Sequence, residues 1–143
     1  MNKAEAIALL KREGYTLLLY GESESMHSYE RGVAPLLSLL DSGRDVCMMR
    51  AVDKVVGRAA AFLYIALGIR ELHAMTISES ALSLLSEHSI AVGYEALVPK
   101  ILNRAGNGYC PMESAVLSET DVKEAIKKIR ETRKALSENK NPS

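Results

Sequence analysis

The stretch Asp45 to Gly68, DVCMMRAVDKVVGRAAAFLYIALG, decides the fold class. Its first part, Asp45 to Val52, is largely apolar without clean alternation, the pattern of a strand buried on both faces of a sheet. In this reading Asp53 ends the strand. Val55 to Leu67 follows as a helix that is apolar nearly all round, and such a helix is covered on several sides. Gly57, Ala59, Ala60 and Ala61 leave room for another backbone to come close. Gly68 stands where a left-handed residue closes a helix. A buried strand running straight into a buried helix is half of a strand–helix–strand unit, whose strands are parallel.

Working outward, Lys3 to Arg12 has helical spacing and meets a stop at Gly14. The run YTLLLY, Tyr15 to Tyr20, predicts a strand; Gly21-Glu22-Ser23 predicts a turn, and Glu24 to Tyr29 the returning strand of a hairpin. That second strand is polar on both faces and belongs at an edge. Val33, Leu36, Leu37 and Leu40 share a helical face that ends at Ser42-Gly43. Downstream, Leu72 to Ile77 predicts a strand, Ser78 caps a helix over Glu79 to Glu87, and Ile90 to Tyr94 predicts a short strand. Glu95 to Leu102 fits a strand or a short helix, and Asn103 to Tyr109 is a loop by composition. Cys110-Pro111 opens a helical turn. Ser118 to Asp121 caps a last helix with Val122, Ile126, Ile129 and Leu136 on its inner stripe. A hairpin first and strand–helix–strand units afterwards predict an α/β three-layer α-β-α sandwich with a mixed sheet of about five strands. One domain spans residues 3–136, and residues 137–143 form a polar, flexible tail.

Composition bounds the function. Eighteen basic residues balance eighteen acidic ones across 143 residues, which argues against nucleic-acid binding through bulk charge. The longest apolar run, Ala59 to Leu67, falls short of the roughly 20 residues that span a bilayer. The amphipathic start MNKAEAIALLKREG is unlike a signal peptide. A cytoplasmic protein without membrane contact is the expectation.

Three blocks carry a resemblance: Glu30-Arg31-Gly32-Val33-Ala34-Pro35-Leu36; Val52-Asp53-Lys54-Val55-Val56-Gly57-Arg58-Ala59-Ala60; and Ile101-Leu102-Asn103-Arg104 with Cys110-Pro111-Met112-Glu113. Over roughly residues 3–131 the chain resembles DUF 1893, a small prokaryotic family of unknown function, and its element order resembles the cytidine deaminase-like fold. Zinc deaminases of that fold hold the metal on His or Cys ligands at two helix starts, with a Glu as proton shuttle. The matching positions here are Gly32-Val33-Ala34 and Asp53-Lys54-Val55-Val56, without His, Glu or a Cys pair. His27, His73 and His88 lie far apart. The expectation is therefore no metal site, no cofactor and no zinc-dependent deamination.

The resemblance also implies two helix N-termini aimed at one place. Such termini offer unpaired N–H groups and partial positive charge, which attract anions. Asp53 reads either as an N-cap or as a site carboxylate. Lys54 and Arg58, four apart, share one helix face in this reading, Gly57 between them permits close approach, and Gly32 and Asn103 complete the candidate ligand-binding set. Cys110, before a helical turn, is a candidate nucleophile, and Glu113 a candidate general base or a capping acid. Cys47 reads as core, as do Met48 and Met49. The leading expectation is a protein binding a small anionic ligand, nucleotide- or ADP-ribose-like. The alternatives are a non-zinc enzyme using Cys110 with Asp53 and Glu113, and a homo-oligomeric regulatory module joined through the Val55–Leu67 helix and an edge strand.

Overall fold

The computed structural model describes residues 1–103 and 105–139. The chain order is α1 (Lys3–Glu13), β1 (Leu17–Tyr20), β2 (Ser25–Ser28), α2 (Ala34–Ser42), β3 (Arg50–Val56), α3 (Arg58–Leu67), β4 (Glu71–Ser78), α4 (Glu79–Glu87), β5 (Ala91–Val98), α5 (Pro111–Ala115) and α6 (Val122–Asn139). The five strands form one mixed sheet in the order β2-β1-β3-β4-β5. β1 runs antiparallel to both β2 and β3, whereas β3, β4 and β5 are parallel.

The two faces of the sheet are covered unequally. On one, α2, α3, α4 and α6 share a continuous core with the sheet. Phe62, Leu63 and Tyr64 are fully buried, so α3 is enclosed, as its all-round apolar sequence predicts. Each such Leu or Phe contributes about 1.5–3 kcal/mol by leaving water. On the other face, α1 alone lays Ala6 and Leu10 against Leu18, Tyr20 and Val52. Asn2 and Glu5 close a reciprocal capping box at the start of α1, and Gly14 ends it with φ 71°. The α/β sandwich with a five-stranded mixed sheet is thus the architecture.

Several boundaries differ from the sequence reading. The strand predicted over Asp45 to Val52 begins only at Arg50 and continues through Asp53, Lys54 and Val55 to Val56. The residues before it form a turn in which the Cys47 amide donates to Asp45 Oδ1 at 3.1 Å and Met49 to the Val46 carbonyl at 2.9 Å. Met48 therefore points outward, 86% exposed, while Met49 is core. Cys47 is only partly buried on that turn, and neighbouring Asp45 pushes its thiol pKa up. β5 is one eight-residue strand, which settles the ambiguity over Glu95 onward. α6 extends to Asn139, so residues 137–139 are helical, contrary to the predicted tail; residues 140–143 lie outside the described residues.

Candidate functional site

The first consequence of the β3 shift is that Asp53 does not cap a helix. It lies inside the strand, paired with Leu17 on β1 and Ala74 on β4, and is buried. Its Oδ2 accepts the Tyr64 hydroxyl at 2.5 Å and its Oδ1 the Val55 amide at 3.3 Å. Burial pushes its pKa up to about 7, against the lowering effect of those hydrogen bonds. The same burial, with Asp53 beside it, pushes the Tyr64 phenol well above its ordinary value. Lys54 is an exposed strand residue whose amide donates to the Thr16 carbonyl. It therefore shares no helix face with Arg58.

The second consequence concerns the cap of α3. Gly57 is the N-cap and has no side chain to offer. The cap comes instead from α5: Glu113 accepts the Arg58 amide at 2.6 Å and the Ala59 amide at 2.9 Å. A Cβ on Gly57 would overlap this carboxylate, so the glycine is needed for space. Its φ of −103° is open to any residue. The helix end expected to attract an anion thus already holds one, supplied by the chain. Burial pushes the Glu113 pKa up, while the two amides and the Arg58 charge pull it down.

Arg58 is similarly committed. Its guanidinium donates to the carbonyls of Val116 (3.0 Å) and Glu119 (2.5 Å) and to Ser80 Oγ (3.0 Å), and lies 5.2 Å from the Phe62 ring centroid. It ties α3 to α4 and to the turn before α6, which Glu119 anchors through Lys128 at 2.7 Å.

Beyond the carboxyl ends of β3, β4 and β5 lies a small cleft, where ligands of open α/β sheets commonly bind. Arg58, Ser78, Ser80, Lys100, Tyr109 and Glu113 contribute to its lining. Its interior volume is about 20 Å³, room for a single water. Lys100 and Tyr109 are exposed at the rim, with the ammonium 4.7 Å from the ring centroid. Of the residues singled out in the sequence, Arg58 and Glu113 reach this cleft; Asp53, Lys54, Gly57, Gly32, Asn103 and Cys110 are not in its lining. Gly32, with φ 73°, turns the chain toward α2. Asn103 closes the following loop on itself, bonding Asn107 through both side-chain atoms and donating its amide to the Gly108 carbonyl. Arg104 is outside the described residues.

Cys110 is the N-cap of α5 and partly buried, and its carbonyl accepts the amides of Glu113 and Ser114. Glu113 spends its carboxylate on α3 and so is not a free base for that thiol. Sequence reasoning missed Ser80, Lys100 and Tyr109. Ser80 and Lys100 each stand two residues beyond a parallel strand, a position that marks them once the strand ends are known. Among the described residues no three His, Cys, Asp or Glu side chains could hold a metal ion, and no helix is long and apolar enough to cross a membrane.

Known proteins resemble this chain in sequence and in shape. The family model "Domain of unknown function (DUF1893)" matches residues 5–132. The crystal structure of a DUF1893 family protein, TM1506 from Thermotoga maritima, superposes with a TM-score of 0.81 at 28% sequence identity, over 96% of this chain and 92% of that one. No curated protein matches. A family match across nearly the whole chain, with a solved member of the same architecture, means that the chain belongs to the DUF1893 family.

Proposed function

We propose that the chain binds a small anionic ligand of nucleotide or ADP-ribose-like chemistry at the cleft beyond β3, β4 and β5, within a deaminase-like fold that lacks the zinc motif. The observation that carries the reading is the meeting of Lys100, Tyr109, Ser80 and Arg58 in one cleft at the carboxyl ends of three parallel strands. The water-sized interior takes only an edge of the anionic group. The rest of the ligand lies across the rim, a planar ring on Tyr109 and the charge on Lys100. Glu113 already fills the α3 amides, so the ligand sits beside that helix end. The geometry favours binding over catalysis by Cys110, because both carboxylate oxygens of Glu113 are taken up by the α3 amides.

The test is thermal unfolding of the purified protein with nucleosides, nucleotides, ADP-ribose and simple phosphates, in wild type and Lys100→Ala. A ligand that binds only the folded state stabilises it by about 2.7 kcal/mol at a hundredfold excess over Kd. The expected result is a rise in Tm with a nucleotide that disappears in Lys100→Ala and survives in Lys54→Ala. No rise with any compound overturns the reading.

A second reading, self-association, has its own observation. Among the described residues β5 is an unpaired eight-residue edge with Tyr94 and Leu97 both more than 40% exposed, and it carries no proline. The α3 helix, expected at such an interface, is instead buried within the chain. Sedimentation across a concentration series shows a dimer if β5 pairs between copies, and a constant monomer removes this reading.

A further inference from the structure

We propose that the groove at the amino ends of β4 and β5 binds a small zwitterion with an apolar side chain, the chemistry of a free aliphatic α-amino acid. The groove lies at the opposite end of the parallel strands from the cleft described above and does not depend on it. Arg70 stands immediately before β4 and Ile90 immediately before β5. The volume is about 420 Å³, within the roughly 300–1,000 Å³ of small-molecule sites. Ile65, Ile69 and Ile90 give the groove apolar walls, and Arg70, His88 and Ser89 bring polar groups to it.

Opposite charges meet along this groove. α3 ends at Gly68 and α4 at His88, and both caps are in the lining. The carboxyl end of a helix carries about half a negative charge. At α1 the chain answers that charge with Lys11 and Arg12 in the last turn. Neither α3 nor α4 has a basic residue there, and α4 ends on Glu87. Among the described residues the carbonyls of Ala66, Leu67 and Glu87 accept no backbone amide. The positive charge is Arg70, which is exposed. Among the described residues its guanidinium makes no ion pair or hydrogen bond, whereas Arg44, Arg50, Arg58 and Arg130 are each engaged.

The chemistry of the occupant follows from these charges. A plain anion suits Arg70 and leaves the helix ends unanswered; a plain amine does the reverse. A zwitterion serves both. Its ammonium offers three donors to the carbonyl-rich helix ends, and its carboxylate takes the guanidinium fork in a bidentate pair. His88 Nδ1 lies 3.0 Å from the Leu84 carbonyl. A carbonyl only accepts, so Nδ1 carries the proton and Nε2 of the neutral ring is left as a further acceptor. Ser89 is the one residue other than glycine with positive φ among the described residues, at 60°. Glycine adopts that backbone at no steric cost, so the serine is held there at a cost, and the hydroxyl it brings to the groove is what a glycine lacks.

The test is titration of the purified chain with leucine and with valine, followed by calorimetry and by amide NMR. Two analogues run beside them: 4-methylpentanoate, which is leucine without the ammonium, and 3-methylbutylamine, which is leucine without the carboxylate. The expected result is saturable binding of an amino acid that moves the amides of Gly68, Ser89 and Ala91, with each single-charge analogue weaker by about tenfold, the loss of one charge-assisted contact. Arg70→Ala weakens the amino acid by a similar factor, and its exposed position lets the variant keep the fold. Ser89→Gly raises Tm while weakening binding. Lys100→Ala leaves binding unchanged, which separates this groove from the cleft. No binding of either amino acid overturns the proposal, as does equal affinity in wild type and Arg70→Ala. Equal binding of 4-methylpentanoate and leucine makes the occupant a plain carboxylate and overturns the zwitterion.

Discussion

Polar groups are buried in two regions of this molecule, and the chain treats them in opposite ways. Around the start of α3, Glu113 has two amides, Asp53 has a phenol and an amide, and Arg58 has three acceptors. On the α1 face, the His73 ring has none. Among the described residues the first region lies under several helices, α5 included, and the second under α1. Where packing encloses a polar group completely, its partners come from within the chain, because nothing else can reach it.

The largest effect that would break this comparison is the pH dependence set by Asp53. Its folded pKa of about 7 stands above the unfolded value of 3.8, so the folded state holds a proton that the unfolded state releases. The stability is fully present below pH 3.8 and is lost as pH rises toward 7. The loss is on the order of 4 kcal/mol at about 1.4 kcal/mol per pKa unit. Glu113, also raised, adds in the same direction, and His73, whose pKa is lowered, opposes it. Urea unfolding of wild type across that range should show stability falling with pH, and Asp53→Asn should flatten the curve. Parallel curves for the two proteins would mean that Asp53 is ionised and that the first region is not sealed.

Much of the fold was legible because it is local. Gly14, Gly43 and Gly68 end their helices with positive φ where the sequence places stops, and Ser78 caps α4 as expected. The start of α3 was not legible. Asp53 followed by an apolar run reads as cap and helix, yet Val55 and Val56 stay in the sheet, paired with Thr76 and Ile77 on β4. The true cap, Glu113, is 56 positions beyond Gly57 in the chain, and no local pattern announces it. The candidate site moved for the same reason. Arg58 and Glu113 were found, but their partners are long-range, and Lys100 and Tyr109 emerge only once the strand ends are placed in space.

That long-range cap gives the next effect. Glu113→Ala strands the Arg58 and Ala59 amides and should cost about 2–3 kcal/mol, since a buried unsatisfied donor costs about 1–3 kcal/mol and losing a cap about 0.5–2 kcal/mol. Gly57→Ala should cost a similar amount by a different route, pushing the carboxylate off the helix with no backbone strain of its own. The two losses share one contact, so the double variant should cost little more than either single one. Denaturant midpoints of the four proteins measure the coupling. Full additivity would show that Gly57 matters for something other than Glu113.

The smallest effect sharpens the contrast most. His73→Leu removes two buried ring nitrogens without a hydrogen-bond partner, the Glu95 carboxylate standing 3.7 Å from Nε2, so it takes away a cost and no hydrogen bond. Its expected effect on stability lies between zero and a gain of about 1 kcal/mol, because an apolar group relieves the desolvation penalty of an unpaired one. A loss of several kcal/mol would mean that the imidazole has partners after all, and the two regions would no longer differ in kind. The sign of this one number therefore decides whether the α1 face holds an unpaired buried imidazole or a second closed polar network like that at α3.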